Sequence, residues 1–104
     1  MASVHQPQID LPMPQIEAFC QKWGVIEFAL FGSVVRDDFG PDSDVDVMVK
    51  FAPDQETDLF DIVDMKEQLE ALFGRKVDLV QFGTVENPYR LSSMLRDHTV
   101  VYAA

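Results

Sequence analysis

The chain has 104 residues, the size of one small domain, so we expect a single domain over residues 1–104 without a second hydrophobic core. Apolar residues make up 47% and charged residues 25% of the sequence, proportions typical of folded globular domains that exclude a largely disordered chain. The 18 acidic and 8 basic residues give a formal net charge of −10, which repels phosphate backbones and argues against direct binding of DNA or RNA.

Residues 1–13 are expected to form a flexible leader, since they contain prolines but no basic start followed by an apolar run. No apolar stretch approaches the roughly 18 residues that a membrane-spanning helix needs, so we expect no membrane association. Cys20 is the only cysteine, which excludes an internal disulfide and a cysteine zinc site. This usage is typical of a reducing compartment, and we expect a cytoplasmic location with Cys20 as a small buried residue.

The first predicted elements are a short amphipathic helix and a buried strand. Over residues 14–23 the apolar side chains recur at helical spacing, with Pro14 in the first turn and Gly24 as the stop. Residues 25–31 are nearly continuous in apolar and aromatic residues and end at Gly32, which predicts a strand buried on both faces.

A second strand and the longest helix follow. Residues 44–51 alternate in polarity, which predicts a strand with its valines on one face. Residues 57–73 predict a helix that ends at Gly74. Its expected buried stripe consists of Leu59, Ile62, Val63, Leu69, Leu72 and Phe73.

The remaining predicted elements are a third strand over residues 76–82, a weaker helix over 88–96 and a last strand over 99–102. Strands that alternate with helices predict an α/β or α+β fold, in which helices pack against a small mixed and twisted sheet.

Three aspartates on the second and third predicted strands are candidates for a metal site. Residues two apart in a strand point to the same face, so Asp44 and Asp46 can direct their carboxylates toward a shared point. Asp78 lies among apolar residues and can bring a third carboxylate from a neighbouring strand. Magnesium takes oxygen ligands and keeps positions open for water and phosphate, which suits such a set. The alternative is a solvated acidic face, because ten carboxylates and one base fall within residues 37–64.

Gly32-Ser33, at the end of the first strand, is a candidate phosphate-binding turn. A strand that passes here into a helix would offer backbone N–H groups, a serine hydroxyl and the positive end of a helix dipole. Glycine also lets a phosphate approach the main chain closely. Taken alone, the pair is equally compatible with a structural turn that Ser33 caps. Combined with the three carboxylates, it indicates a site for a metal-bound nucleoside triphosphate, with transfer chemistry at one of its phosphates.

Other nucleotide and metal motifs are absent. An EF-hand loop that begins at Asp42 would need glycine at Val47 and glutamate at Pro53. Neither the P-loop pattern nor the dinucleotide-binding pattern G-x-G-x-x-G occurs.

These residues carry a family resemblance. Gly32-Ser33, ten intervening residues and Asp44-Val45-Asp46, followed by Asp78 in VDLV, resemble the signature of the polymerase-β-type nucleotidyltransferase superfamily. The small size is similar to that of its minimal nucleotidyltransferase branch, whose members are often encoded beside a small helical HEPN protein as a toxin and antitoxin pair. The similarity covers about residues 25–82.

The resemblance implies a nucleotidyltransferase fold and a role for each motif residue. Gly32 and Ser33 would hold the triphosphate, Asp44 and Asp46 would bind metal ions, and Asp78 would complete the set of metal-binding carboxylates and act as candidate base.

Arg36 falls where this family usually has an arginine, which implies a contact with phosphate. An acidic residue, Asp37, stands directly after it where the family commonly has glycine. A surface ion pair of Arg36 with Asp37 or Asp38 is therefore the alternative.

The activity implied by the resemblance is transfer of AMP from ATP, with Mg²⁺ and two expected ions, to a tyrosine of a HEPN toxin. The chain would then be an antitoxin that forms a hetero-oligomer with its toxin. Two alternatives remain at this point. One is an antitoxin that neutralises its toxin by binding alone, and the other is an enzyme that modifies a small hydroxylated molecule such as an aminoglycoside.

Overall fold

The computed structural model describes residues 11–35, Gly40, 43–82, Tyr89, Ser92, Arg96 and 98–104, with the backbone alone for Ser33 and Val35. In chain order, the elements are helix α1 (Met13–Trp23), strand β1 (Val25–Phe31), a 3₁₀ turn (Gly32–Val35), strand β2 (Val45–Phe51), helix α2 (Leu59–Phe73), strand β3 (Val77–Gln81) and strand β4 (His98–Ala103). The predicted helices α1 and α2 and all four strands are confirmed, with small differences at their ends.

The four strands form one mixed sheet in the order β3-β2-β1-β4. The central strand β1 pairs antiparallel with both β2 and β4, whereas β2 pairs parallel with β3. A parallel pair needs a crossover connection, and α2 supplies it. The predicted mixed α/β architecture is therefore confirmed.

The main hydrophobic core lies between the two helices and one face of the sheet. Ile16 and Phe19 of α1 and Met65 and Leu69 of α2 are buried against the strands, and the rings of Phe19 and Phe28 meet edge to face at 6.0 Å. Every second residue of β2 enters this core: Val45, Val47 and Val49. Cys20 is also buried here, as predicted.

The opposite face of the sheet carries a second, smaller buried cluster of Ala29, Phe31, Met48 and Val80. Because β1 and β2 contribute to both clusters, they are buried on both faces, as the apolar composition of β1 predicts. The candidate site residues of β2 and β3 belong to this second face.

The ends of α2 are well defined by local hydrogen bonds. Asp58 and Asp61 form a capping box, in which the Asp61 N–H donates to Asp58 at 2.8 Å and the Asp58 N–H donates to Asp61 at 3.2 Å. At the other end, Gly74 adopts a left-handed conformation and its N–H donates to the Glu70 carbonyl at 2.8 Å. The Trp23 indole N–H donates to Gln68 at 3.1 Å and thereby ties α1 to α2.

The predicted buried stripe of α2 is wrong at its first turns. Leu59 is 75% exposed and Val63 46% exposed, while Met65, which the stripe omitted, is fully buried. The buried face is centred on Leu69. At 3.6 residues per turn, Val63 lies about 120° around the helix from Leu69 and so cannot reach the sheet.

The C-terminal part of the chain is described only in part. The weaker helix predicted over residues 88–96 lies mostly outside the described residues, although Tyr89, Ser92 and Arg96 are helical. Tyr89 is 87% exposed, whereas Tyr102 packs against the main core. Within the described part of the chain, no helix has the length and apolar character needed to cross a membrane.

Candidate active site

Asp46 and Asp78 occupy equivalent positions on two neighbouring parallel strands. The register pairs Asp46 with Asp78, and the next pair, Val47 with Leu79, continues the ladder. Residues paired in this way project from the same face of a sheet, with adjacent strands about 4.8 Å apart. The fold therefore brings two carboxylates side by side from segments that are far apart in the sequence. Asp46 is half-buried and Asp78 is exposed, so solvent and ligands can reach the pair.

Asp44 lies one residue before β2 and is exposed. Among the residues that the structure describes, no three His, Cys, Asp or Glu side chains gather at the separations of a metal-binding cluster. The side chains as placed thus define a pair, Asp46 and Asp78, rather than three converging carboxylates. Three anions at one point repel one another unless a cation offsets their charge, which gives a physical reason for this spread. The predicted role of Asp44 as a metal ligand stays a prediction.

The chemistry of this donor set still fits magnesium. All three candidate ligands offer carboxylate oxygens, the ligands that Mg²⁺ prefers, and none offers the nitrogen or sulfur donors that select zinc or copper. Magnesium also keeps several of its waters and binds through one or two carboxylates together with substrate phosphates. A pair of in-register aspartates with a third nearby is compatible with that mode of binding.

Gly32 lies beside the Asp46 carboxylate, on the side of the site that faces β1. Its neighbour Phe31 pairs in register with Asp46, and Gly32 itself has φ of +74°, a conformation that side chains rarely adopt. A Cβ atom built on Gly32 would collide with Oδ2 of Asp46 and lie 3.1 Å from its Cγ. The backbone conformation therefore favours glycine here, and a side chain at this position would displace the Asp46 carboxylate. The sequence had indicated only the approach of a phosphate.

The expected helix after β1 is a single 3₁₀ turn, Gly32–Val35, so this part of the sequence prediction is wrong. Four residues align few peptide dipoles, and the helix-dipole contribution proposed for phosphate binding is correspondingly small. A 3₁₀ turn bonds the N–H of residue i+3 to the carbonyl of residue i, so what this turn can offer a ligand is the backbone N–H groups of its first residues, 32 and 33. The Ser33 side chain and the whole of Arg36 lie outside the described residues, so their roles stay predictions.

Sequence reasoning missed Arg75, which holds the segment that leads into β2. Its Nη1 donates to the carbonyl of Gly40 at 2.9 Å and to the carbonyl of Ser43 at 3.1 Å. Ser43 immediately precedes Asp44. The local sequence shows only that the short connection between α2 and β3 contains two basic residues, Arg75 and Lys76. The reach of the Arg75 side chain to Gly40 follows from the tertiary fold alone.

His98 begins β4 and is half-buried. It pairs in register with Phe31, which in turn pairs with Asp46. His98 therefore lies in the same row across the sheet as the two aspartates, with Phe31 between them.

The fold and this acidic pair define a nucleotidyltransferase. The sequence profile of the nucleotidyltransferase domain matches residues 13–101, and the chain belongs to that family. The resemblance inferred from the motif residues is thus confirmed.

Relatives in this family carry a more specific name. Protein adenylyltransferase MntA of Thermococcus cleftensis is 39% identical over 67 residues, which cover 64% of this chain and 66% of the relative. A Methanocaldococcus jannaschii protein that is named a putative protein adenylyltransferase is 36% identical over 76 residues, 73% of this chain and 76% of the relative.

Solved structures confirm the fold. A chain of a crystal structure of a toxin-antitoxin with AMP-PNP superposes with a TM-score of 0.73 at 18% identity, over 90% of this chain and 75% of that chain. A chain of the tri-AMPylated Shewanella oneidensis HEPN toxin in complex with MNT antitoxin gives a TM-score of 0.65 at 17% identity, over 88% of this chain and 70% of that chain.

Proposed function

We propose that this protein transfers AMP from ATP to a tyrosine hydroxyl of a HEPN-type toxin and thereby acts as its antitoxin. The observation that carries the proposal is the in-register pair of Asp46 and Asp78 beside Gly32, in a chain of the nucleotidyltransferase family. The names of the relatives, which are protein adenylyltransferases, support the reaction class. A complex of MNT antitoxin with AMPylated HEPN toxin among the fold neighbours supports the partner.

In this proposal, Asp44, Asp46 and Asp78 would hold two magnesium ions, and the nucleotide would bind at the same place. Bound magnesium would neutralise the phosphate charge and stabilise the attacking and leaving oxygens of the transfer. The protein carries a net charge of −10, so its own field opposes an approaching triphosphate. The carboxylates therefore bind nucleotide only together with cations.

The triphosphate rests on the backbone N–H groups after β1 and on the Ser33 hydroxyl, with Arg36 as a further phosphate contact. The tyrosine oxygen attacks the α-phosphorus, and the bond from that phosphorus to the bridging oxygen of the β-phosphate breaks. Pyrophosphate leaves with the electron pair of that bond. Asp78 is exposed at the edge strand of the sheet and accepts the proton of the hydroxyl.

A protein acceptor suits the charge of this chain better than a nucleic acid does. The field that excludes phosphate backbones does not oppose a neutral tyrosine, and it attracts a partner with a basic surface. We place the reaction in the cytoplasm, the reducing compartment that a single buried cysteine favours.

The test is incubation of the purified protein with Mg²⁺, ATP labelled at the α-phosphate and a HEPN protein, taken from the adjacent reading frame that the family resemblance implies. We expect label on the HEPN protein, none when the label is on the γ-phosphate, and none with EDTA. A tight complex without label would instead support neutralisation by binding alone. Label found only on added aminoglycosides would support modification of small molecules. Either of these results would contradict the proposal.

A further inference from the structure

Arg75 connects the end of α2 to the segment that carries the acidic residues. It follows Gly74, the left-handed residue that ends α2, and its side chain extends to the chain before β2. One guanidinium nitrogen, Nη1, donates to two carbonyl oxygens, those of Gly40 and Ser43, at 2.9 and 3.1 Å. Both distances are those of good hydrogen bonds, and a charged donor makes them stronger than bonds between neutral groups.

The two carbonyls belong to the two ends of one turn. The Ser43 N–H donates to the Gly40 carbonyl at 3.1 Å, and the Gly40 N–H donates to the Ser43 hydroxyl oxygen at 3.0 Å. Arg75 therefore binds a turn that is already closed on itself and fixes its place relative to the sheet. The residue after this turn is Asp44, and Asp46 lies two residues further.

The connection between α2 and β3, in which Arg75 lies, also fixes where β2 and β3 begin. The Val45 N–H donates to the Lys76 carbonyl at 2.9 Å, which starts the parallel ladder that continues to Asp46 and Asp78. The Val77 N–H donates to Oε2 of Glu70 at 3.1 Å, which ties the start of β3 back to α2. Arg75 thus lies among the hydrogen bonds that fix the backbone just before Asp46 in β2 and just before Asp78 in β3.

We propose that Arg75 is a positioning residue that holds the two ends of the turn, Gly40 and Ser43, and so fixes the backbone from which Asp44 and Asp46 extend for cation binding. This inference rests on the proposed function, since it assigns a role within that same site. Arginine suits this role because the two N–H groups of Nη1 are held in the fixed plane of the guanidinium, whereas the N–H groups of a lysine ammonium rotate. A lysine keeps the charge but loses this geometry.

The test compares Arg75→Gln and Arg75→Lys with the wild type and with Lys66→Gln. Lys66 is an exposed residue of α2, so its variant removes one positive charge without touching the turn. The first measurement is hydrogen exchange at the amides of Ser43 and Val45. We expect exchange about tenfold faster in Arg75→Gln, a smaller increase in Arg75→Lys, and no change in Lys66→Gln or at the Gly74 amide.

The second measurement is binding of Mn²⁺, followed by electron paramagnetic resonance without nucleotide. We expect Arg75→Gln to weaken Mn²⁺ binding about tenfold and to raise the Mg²⁺ concentration for half-maximal transfer by a similar factor. At saturating Mg²⁺, kcat should remain within about twofold of the wild type, since a positioning residue acts through the cation site. A general loss of folding would lower kcat at every Mg²⁺ concentration.

Unchanged exchange at Ser43 and Val45 in Arg75→Gln would overturn the proposal, and so would faster exchange with unaltered Mn²⁺ affinity. Wild-type protein that binds no Mn²⁺ would overturn it as well. If Arg75→Gln does not fold, Arg75→Lys retains the charge and decides the question by the same measurements. A wild type that binds Mn²⁺ but transfers no AMP would contradict the proposed function alone, because the exchange and Mn²⁺ results would still test the role of Arg75.

Discussion

The carboxylate of Asp46 occupies the space that a side chain at position 32 would need. Gly32 directly follows β1, and Asp46 lies in the adjacent strand β2, opposite Phe31. The pairing of these two strands thus sets a close contact between a backbone carbon and a candidate metal ligand. Glycine at this position is part of the site even before any nucleotide binds.

Replacement of Gly32 by alanine should therefore abolish AMP transfer. The new methyl group would displace the Asp46 carboxylate, and an alanine with positive φ also costs about 1 to 2 kcal/mol. The matched control is Gly74→Ala, because Gly74 has φ of +65° but no neighbouring atom within 4 Å of the point where the methyl group would stand. We expect both variants to lose stability in urea unfolding and only Gly32→Ala to lose activity. Equal activity of the two variants would contradict the Asp46 contact.

Asp46→Asn and Asp78→Asn should each lower the rate of AMP transfer by about 100-fold or more, since each removes a charge that holds the cation. Asparagine keeps the shape of the side chain, so the melting temperature should not fall. Asp54→Asn, in an exposed turn, removes the same charge away from the site and should transfer AMP at the wild-type rate. The measurement is initial rate with labelled ATP. Wild-type rates in either site variant would remove that residue from the mechanism.

Asp58→Ala should reduce the free energy of unfolding by about 1 kcal/mol, because it removes the acceptor that caps the first turn of α2. Asp64→Ala is the control, since Asp64 is exposed on the same helix outside the capping box. Urea denaturation of both variants measures the difference. AMP transfer should be unchanged in both, and a stability loss of the same size in Asp64→Ala would argue against the cap.

Cys20 should make the stability of the protein fall at high pH. Burial, and secondarily the negative charge of Glu17, raises the pKa of the thiol from 9.0 to about 12. Between these two values the unfolded chain loses the thiol proton while the folded chain keeps it, so a rising pH favours unfolding. The expected slope is about 1.4 kcal/mol per pH unit.

Cys20→Ala lacks this group and supplies the control for other residues that titrate in the same range. The difference in unfolding free energy between wild type and variant, measured by urea denaturation from about pH 8 to about pH 11, should change with this slope above the unfolded pKa. A constant difference across that range would contradict the raised pKa.

The sheet was predictable from the sequence because its strands are short apolar runs with clear ends. Val45, Val47 and Val49 alternate with polar or differently packed residues, and that period of two identifies the face they share. The stripe of α2 was less predictable, because apolar residues lie on more than one side of this helix. Periodicity alone could not tell that Met65 is buried and that Leu59 and Phe60, at 75% and 80% exposure, are not.

The candidate site was predictable as a set of residue types at a given spacing, while its geometry was not. The pairing of Asp46 with Asp78 depends on the register of two parallel strands, which the hydrophobic pattern of each strand does not specify. The role of Arg75 was not predicted, for a related reason. Its partners are main-chain carbonyls, and a carbonyl has no signature in a sequence.

The parallel pairing of β2 and β3 also has a consequence during synthesis of the protein. Gly32 and Asp46 leave the ribosome well before Asp78, and all of α2 must be made before the last carboxylate can join them. A nascent chain that has completed only β1 and β2 therefore lacks half of the acidic pair. In the proposed mechanism, catalysis can therefore begin only once translation has passed β3 and the crossover helix has docked.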